Sequence, residues 1–308
     1  MITTDHDEWV KNTTPKVGVL IPTFNRMKSL NDCLQCLKKQ HFNGAPAQLI
    51  PIVIVDGSTD GTLEMLDRDF PEAVLVKGDG SWWYTKCINE GIKTALRLHC
   101  DFILTLNDDI VFTREYVNNL LQDHYECGTE SVIGSVSLST GLPCVITFSG
   151  VSKVGIFLKE VNYIPKFSIV EERSLSGIKP SVVLSGRGIL YPAGIFVKLG
   201  LYDEKLVQYS AETDFTYRAS RKGIPVMISY NARIYENIKQ TSDGAVYNHP
   251  SLKTLIKSFY NKYSINSLRK TWYYSIKHRG PFMGSLTAGI RMMGVLKNFI
   301  VWKFKSKA

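Results

Sequence analysis

The sequence FILTLNDDI, residues 102–110, places three polar residues directly after a short apolar run. Phe102–Leu106 predicts a buried strand, and Asn107, Asp108 and Asp109 follow it at once. Two neighbouring acids at the end of a buried strand repel each other and lose hydration, so they need compensation. A hard divalent cation supplies it, because Mn²⁺ and Mg²⁺ bind carboxylate oxygens together with phosphates. A helix cap, which needs one acid, is the alternative.

Two earlier apolar runs also end in polar clusters. VGVLI (17–21) is followed by PTFN (22–25), and PIVIV (51–55) is followed by DGS (56–58). The alternation of strands and helices predicts an α/β fold, with a mainly parallel, Rossmann-like sheet flanked by helices. Ligands bind beyond the carboxyl ends of such strands, so the three clusters predict one site. The other predicted elements here are a strand at 73–76 and helices at 29–40, 62–69 and 85–98.

The rest of the chain changes in character twice. After about Ser131 the runs become short and hairpin-like, which indicates an extension of the same domain, with helices predicted at 193–199 and 214–222. The stretch 244–308 holds twelve Lys or Arg and no Asp or Glu, although the net charge of the chain is +9. We therefore expect three parts: a polar lead (1–16), one domain (17–243) and a basic helical tail (244–308).

Composition and missing motifs argue against several classes. With 44% hydrophobic and 21% charged residues, the 308-residue chain is typical of a globular protein. Met1–Lys16 is polar and has no secretory-signal pattern, so we expect a cytoplasmic location. Cys33 and Cys36 share a face of a predicted helix, which favours reduced thiols in the core over a metal site. No GxGxxG, GxxxxGK[ST] or GxSxG motif occurs, which disfavours dehydrogenases, P-loop enzymes and serine hydrolases.

Several stretches together resemble the ordered motifs of family-2 glycosyltransferases with the GT-A fold. They are VLIPTFNR (19–26), VDGSTDGT (55–62), LNDDI (106–110), LGLYDEKL (199–206) and YSAETDFTYRASRKG (209–223). The resemblance implies a nucleotide-binding half (17–130) and an acceptor half (131–243). It also implies transfer of a sugar from a UDP-, dTDP- or GDP-linked donor to a saccharide or lipid-linked saccharide, in surface-polysaccharide assembly.

The resemblance assigns donor-side roles to individual residues. Asp109 matches the aspartate that binds Mn²⁺ or Mg²⁺, and Asn107 stands in the place of the usual first aspartate of that motif. Asp108 would face the donor ribose or sugar, and Asp56 would contact the nucleobase. Glu236 stands where many members have a histidine, and it is the candidate for a second metal ligand. The remaining residues implied for the nucleotide pocket are Pro22, Thr23 and Asn25.

On the acceptor side, the resemblance implies that Glu212 is the general base of an inverting transfer, with Asp214 as the second candidate. Trp82, Trp83 and Arg187 are candidates for contacts with the acceptor or the sugar, with core packing as the alternative for the two Trp residues. Two other classes remain open. One is a nucleotidyltransferase-like nucleotide enzyme, and the other is an inactive sugar-binding relative.

The tail mixes apolar and basic residues at helical spacing. Charged residues interrupt its apolar runs before they reach the roughly 20 residues of a membrane-spanning helix. This pattern predicts a basic amphipathic helix on an anionic membrane surface, and therefore a peripheral position on the inner face of the cytoplasmic membrane. A packed helix pair with a solvated basic face is the alternative. No nucleic-acid recognition motif accompanies the charge, so we expect no nucleic-acid partner.

Overall fold

The computed structural model describes residues 14–43, 46–128, 130–170, 175–238 and 251–305. Within these ranges a ten-stranded mixed sheet carries helices on both faces, and further helices follow it at the C-terminal end. The expected α/β class and the expected C-terminal helical extension are both confirmed.

The first half of the chain forms the predicted alternation of strands and helices. Its elements are β1 (Lys16–Thr23), α1 (Met27–Lys38), β2 (Gln48–Asp56), α2 (Thr62–Asp69), β3 (Val74–Gly78), α3 (Trp83–Arg97) and β4 (Phe102–Thr105). β1 pairs in parallel with both β2 and β4, and β2 pairs in parallel with β3. The carboxyl ends of β1, β2 and β4 therefore meet at one edge of the sheet, where the three polar clusters lie.

The second half extends the same sheet. Its elements are β5 (Ile110–Phe112), α4 (Tyr116–Cys127), β6 (Val132–Ser139), β7 (Ile146–Phe148), β8 (Val151–Val154), β9 (Glu160–Asn162), β10 (Ile178–Pro180), β11 (Ile189–Pro192), α5 (Gly194–Leu199), α6 (Ala211–Arg221) and β12 (Val226–Glu236). β11 joins the two halves, because it runs antiparallel between β4 and β6. The strand order is β10-β12-β6-β11-β4-β1-β2-β3, with β5 added to β12 and β7 added to β6. β8 and β9 form a separate two-stranded sheet.

Alternate residues of the central strands supply two core layers, one on each face of the sheet. In β2, Ile52 and Ile54 pack in the layer that contains α3, whereas Val53 and Val55 pack in the layer that contains α1. This alternation follows from the two-residue side-chain period of a strand. Cys33 belongs to the α1 layer, and all six cysteines are free thiols, as the sequence predicts.

The tail helices dock on the second half of the domain. They are α7 (Leu252–Tyr260), α8 (Leu268–Arg279) and α9 (Pro281–Lys305). Tyr274 of α8 packs on the core, and Arg279 donates a hydrogen bond to the Gly155 carbonyl at 2.9 Å. α9 crosses α8 closely at Gly284, where an added Cβ would lie 2.5 Å from the Cα of Ile276. In the described part of the chain, no helix combines the length and the apolar character needed to cross a membrane.

Candidate active site

A cleft of about 370 Å³ opens at the edge of the sheet where β1, β2 and β4 end. The residues that line it come from the loops after these strands and from the start of α3. This is the edge that the polar clusters predict. Of the residues expected in the site, the cleft is lined by Pro22, Thr23, Asp56, Trp83, Asp108 and Asp109.

Arg26 compensates the negative charge of the two acids that follow β4. Its Nη1 donates hydrogen bonds to Asp109 Oδ2 at 2.8 Å and to Asp108 Oδ1 at 3.2 Å. Thr23 Oγ1 donates to the other oxygen of Asp108 at 2.8 Å. Burial raises the pKa of the Asp108 carboxyl to about 6. Asp109 is the more accessible acid, with 17% of its side chain exposed, so a ligand in the cleft reaches it more easily.

Asp56 organises the wall of the cleft at the start of α3. Its Oδ1 accepts a hydrogen bond from the Gly80 N–H, and its Oδ2 accepts from the N–H groups of Trp82 and Trp83 at 3.0 Å each. N–H groups at a helix start have no acceptor within the helix, so this carboxylate caps α3 from the end of β2. Gly57 makes the close approach possible, because its φ is +76° and an added Cβ would lie 2.8 Å from the Gly80 Cα. The nucleobase contact of Asp56 stays a prediction.

Asn25 connects the loop after β1 to the loop after β2. Its backbone N–H donates to Ser58 Oγ at 3.0 Å, and its Oδ1 accepts from the Thr59 N–H at 2.7 Å. Its φ of 51° lies in the left-handed region, which Asn tolerates better than most residues. Asn25 shapes the rim through these bonds but is not among the residues that line the cleft, so its nucleotide contact stays a prediction.

Glu212 lies in the first turn of α6 with one unpaired carboxylate oxygen. Its Oε2 is buried and has no hydrogen-bond partner among the described residues. Burial raises the pKa of the Glu212 carboxyl above its ordinary value of 4.5, although the charge of Arg187 opposes the rise. Gly186 packs against this carboxyl, and an added Cβ there would lie 3.0 Å from Glu212 Cδ and 2.7 Å from the Tyr84 hydroxyl. Tyr84 lines the cleft, so Glu212 lies just behind its wall.

Asp214, two residues further along α6, has a different environment. It is fully buried, and its oxygens bond Arg218 at 3.0 Å, Lys277 at 2.8 Å and His278 at 3.0 Å. Burial alone would raise the pKa of Asp214, but the hydrogen bonds from His278 and Lys277 outweigh it and lower the pKa below 3.8. Two of the three partners belong to α8. Asp214 therefore joins the tail to the domain, and its complete ion pairing favours a structural role over the catalytic one predicted as second candidate.

Glu236 and Arg187 pair with each other. Arg187 Nη1 donates to Glu236 Oε1 at 2.7 Å, and Thr147 Oγ1 donates to the same oxygen at 2.5 Å. Glu236 lies opposite Ile110 in the pairing of β12 with β5, so its backbone is near Asp109. Its carboxylate is nevertheless committed to Arg187. Across the described ranges no cluster of three or more His, Cys, Asp or Glu side chains could hold a metal, so Asp109 is left as the ligand candidate that faces the cleft.

The two Trp residues expected at the acceptor side use their rings differently. Trp82 packs against the core, with Lys86 Nζ 4.9 Å from the centroid of its ring. Trp83 is 38% exposed, lines the cleft and stacks on Tyr263, with ring centroids 3.5 Å apart and 12° between the planes. Tyr263 lies between α7 and α8, so the tail contacts the wall of the cleft. Whether these rings or Arg187 contact the acceptor stays a prediction.

The cleft also contains residues that the sequence did not assign to the site. Phe24 is 55% exposed, and an aromatic residue in a loop at a strand end is a signal that could have identified it. Arg26 gives no such signal, because its acid partners are 82 and 83 residues away in the chain. Gln208 accepts a hydrogen bond from the Tyr84 N–H at 3.2 Å, which ties the acceptor half to the start of α3.

Known protein families and solved structures include proteins that are similar to this chain. Residues 18–141 match the model of glycosyl transferase family 2. Among solved structures, S. aureus TarS is similar with a TM-score of 0.52 and 16% identity, over 85% of this chain and 43% of TarS. GalNAc-T7, solved with UDP, GalNAc and Mn²⁺, is similar with a TM-score of 0.60 and 15% identity, over 87% of this chain and 51% of that protein. The chain thus spans about half the length of these two proteins.

A shorter form of TarS, residues 1–349 in complex with UDP-GlcNAc, is similar with a TM-score of 0.52 and 16% identity, over 86% of this chain and 73% of that one. No curated protein sequence matches the chain. At these identities the structural likeness establishes the fold, and the family match covers the loops that carry Asp56, Asp108 and Asp109. Residues 18–141 therefore match glycosyl transferase family 2, and the fold of the chain is of the GT-A type seen in these glycosyltransferases.

Proposed function

We propose that this enzyme moves a hexosyl or deoxyhexosyl group from a nucleotide-sugar to a saccharide acceptor, with inversion at the anomeric carbon. The observation that carries the proposal is a pair of unlike acids, of which Asp109 lines the cleft and Glu212 lies directly behind its wall. Asp109 is accessible at the part of the cleft where β4 ends, which we call the donor edge. Glu212 has an unpaired oxygen behind Tyr84. A transfer of this kind needs charge compensation for the diphosphate and a base for the acceptor hydroxyl, and these acids offer a place for each.

The donor edge fits a divalent cation in its chemistry. Mg²⁺ commonly takes one or two carboxylates and completes its shell with substrate phosphates and water. Asp109, with Asp108 beside it, would hold Mn²⁺ or Mg²⁺ in that way. The bound cation would neutralise the charge that develops on the leaving nucleoside diphosphate. The similar GalNAc-T7 was solved with UDP and Mn²⁺ and the similar TarS with UDP-GlcNAc, which makes a UDP-linked donor the first to test.

The side chains of the enzyme itself perform the remaining steps. Glu212 Oε2 accepts the proton of the acceptor hydroxyl, while the hydroxyl oxygen forms its bond to the anomeric carbon. The bond between that carbon and the diphosphate oxygen breaks on the opposite face, and its electron pair stays on the diphosphate. The raised pKa of Glu212 suits this role, because a general base works best when its pKa approaches the working pH. Phe24 offers an exposed ring to the nucleobase near Asp56.

We place the acceptor on the side of the cleft where Trp83 and Arg187 lie. An exposed indole face packs well against the C–H face of a sugar ring, and a guanidinium donates to hydroxyl or phosphate oxygens. Both features suit a saccharide or a lipid-linked saccharide, as in the assembly of a surface polysaccharide. The wall is partly built by Tyr263 of the tail, so the tail would sit close to the incoming acceptor.

The tail supports a position on an anionic membrane surface. One face of α9 presents exposed apolar side chains at helical spacing: Phe282, Leu286, Met293, Leu296 and Ile300. The tail carries twelve basic residues and no acidic ones from position 244 onward, which complements anionic lipid headgroups. Such a surface on the inner face of the cytoplasmic membrane would bring the enzyme to a lipid-linked acceptor.

Release of nucleoside diphosphate from UDP-, GDP- and dTDP-sugars, with Mn²⁺ or Mg²⁺ and with EDTA, tests the proposed reaction. We expect metal-dependent release with one nucleotide class, and no release from the Glu212→Gln variant when a saccharide acceptor is present. A nucleotidyltransferase would instead join a sugar phosphate and a nucleoside triphosphate. An inactive relative would bind nucleotide without turnover, and either result would replace the proposed function.

Co-sedimentation with vesicles tests the membrane position separately. The wild-type chain should pellet with phosphatidylglycerol vesicles and stay in the supernatant with phosphatidylcholine vesicles. The double substitution Leu286→Asp and Met293→Asp should abolish pelleting, because both side chains are exposed and the change leaves the α8 contact in place. Equal sedimentation of the variant and the wild type would contradict the membrane role of α9.

A further inference from the structure

Arg26 holds the carboxylate oxygens that a divalent cation at the donor edge would need. A single nitrogen, Nη1, bonds to one oxygen of Asp109 and one oxygen of Asp108. A guanidinium and a divalent cation on these same two oxygens would repel each other and compete for the oxygens' lone pairs. Arg26 and the cation are therefore alternative partners of the acidic pair.

The surroundings of Arg26 allow it to change partners. Its side chain is 40% exposed, and among the described residues its hydrogen bonds go to Asp108 and Asp109 and use Nη1 alone. Arg26 also lines the cleft, so its remaining guanidinium N–H groups have access to a ligand there. By contrast, Asp108 is fixed on its other side by Thr23, so the acids stay in place when the arginine moves.

We propose that Arg26 yields the acidic pair to the divalent cation and then binds the diphosphate of the nucleotide. The step rests on the proposed function, because it requires a diphosphate in this cleft. The arginine would then have two roles. It keeps the adjacent acids compensated when no cation is bound, and it adds a bidentate contact to the phosphates once the cation has taken the acids. Metal and nucleotide would thus bind as a linked pair.

Direct binding measurements on the full chain test this inference without any turnover. The first probe is Mn²⁺ alone, followed by the loss of the free-ion EPR signal. Arg26→Ala should bind Mn²⁺ about tenfold more tightly than the wild type, a difference of about 1.4 kcal/mol, because a competing cation is gone. The second probe is inorganic pyrophosphate, followed by calorimetry at a Mn²⁺ concentration that saturates the acidic pair in wild type and variant alike. Here Arg26→Ala should bind about tenfold more weakly than the wild type.

Lys28→Ala is the matched control, because Lys28 is an exposed cation two residues away that makes no ion pair in the described part of the chain. It should match the wild type within about twofold in both experiments. Arg26→Gln provides a second variant that keeps a polar side chain without the charge, and thermal melting checks that each variant is folded. Unchanged Mn²⁺ affinity in both Arg26 variants, or unchanged pyrophosphate affinity, would overturn the inference. Failure of every donor sugar in the hydrolysis panel would remove the proposed function but leave the Mn²⁺ result interpretable.

Discussion

Two pairs of acidic residues lie near the cleft, one after β4 and one in the first turn of α6. The negative charge of the two pairs is balanced in different ways. Asp108 and Asp109 share a single arginine that is 40% exposed. Asp214 is fully buried and is held by three basic side chains, whereas Glu212, two residues away, has a buried oxygen with no partner among the described residues. Fixed compensation marks the acid that holds the structure together, and loose or missing compensation marks acids that are available for chemistry.

Glu212→Gln should give the largest effect and is the strongest test of this contrast. The amide cannot accept a proton, so kcat for sugar transfer should fall by about 10² to 10⁴. Nucleotide affinity should stay unchanged, because the donor edge is not altered. Steady-state kinetics and calorimetry measure the two quantities. Glu64→Gln, an exposed acid on α2, is the control and should behave as the wild type. A Glu212→Gln variant with most of its activity would show that an unpaired acid here is not the base.

Asp214→Asn should affect stability far more than turnover. Lys277 would keep Asp203 as a partner, but Arg218 and the buried His278 would lose their carboxylate, so we expect the free energy of unfolding to fall by about 3 kcal/mol. The matched change at the other pair, Asp109→Asn, should cost less than about 1 kcal/mol, because its partner Arg26 is partly exposed. Urea unfolding measures both. Equal stability losses in the two variants would break the distinction between fixed and loose compensation.

Lowering the pH should distinguish Glu212 from Asp214 by a smaller effect, which develops gradually with pH. The raised pKa of Glu212 means that activity falls by about tenfold per pH unit below a value that lies above 4.5. The pKa of Asp214 is lowered, so its stabilising contribution is complete above 3.8 and is lost as pH falls through its lower folded value. Activity should therefore disappear at a higher pH than stability. A kcat/KM profile and pH-dependent melting curves test the order, and loss of both at the same pH would contradict it.

Tyr263→Ala should give the smallest effect and tests whether the tail is anchored at Trp83 in the cleft wall as well as at Asp214. Loss of the stack on Trp83 should lower the free energy of unfolding by about 1 kcal/mol. Tyr260→Ala is the control, because this tail aromatic is 80% exposed and should change stability little. Urea unfolding measures both variants. If Tyr263→Ala is as stable as Tyr260→Ala, the stack contributes nothing to docking of the tail.

The parts of the fold that the sequence predicts are those set by local pattern. The apolar run after Asp101 forms the buried strand β4, as its pattern predicts. The polar residues that follow it line the cleft. The strand and helix alternation before it is also correct in order, with small shifts at the ends. The sequence does not predict β11 as an individual strand, since an antiparallel strand inserted between β4 and β6 depends on pairing across the whole domain.

The contacts that decide the roles of site residues are non-local, and for that reason the sequence does not reveal them. Asp214 and His278 are 64 residues apart, and Arg187 and Glu236 are 49 apart. In the sequence Asp214 stands two residues after Glu212, and the family resemblance offers it as the second candidate for the base. The different choice of partners emerges when α8 packs on α6 and supplies Lys277 and His278 to one of them.

The Asp214 cluster limits how this enzyme can be divided and recombined. A fusion that keeps the chain up to position 243 and adds the tail of another protein would separate Asp214 from Lys277 and His278, and leave Arg218 as its remaining partner from the cluster. The graft would then carry an undercompensated carboxylate in its interior. Chimeras should therefore exchange α6 together with α8, or replace Asp214 by an apolar residue in the same step. For exchange between proteins, α6 and α8 therefore count as one unit.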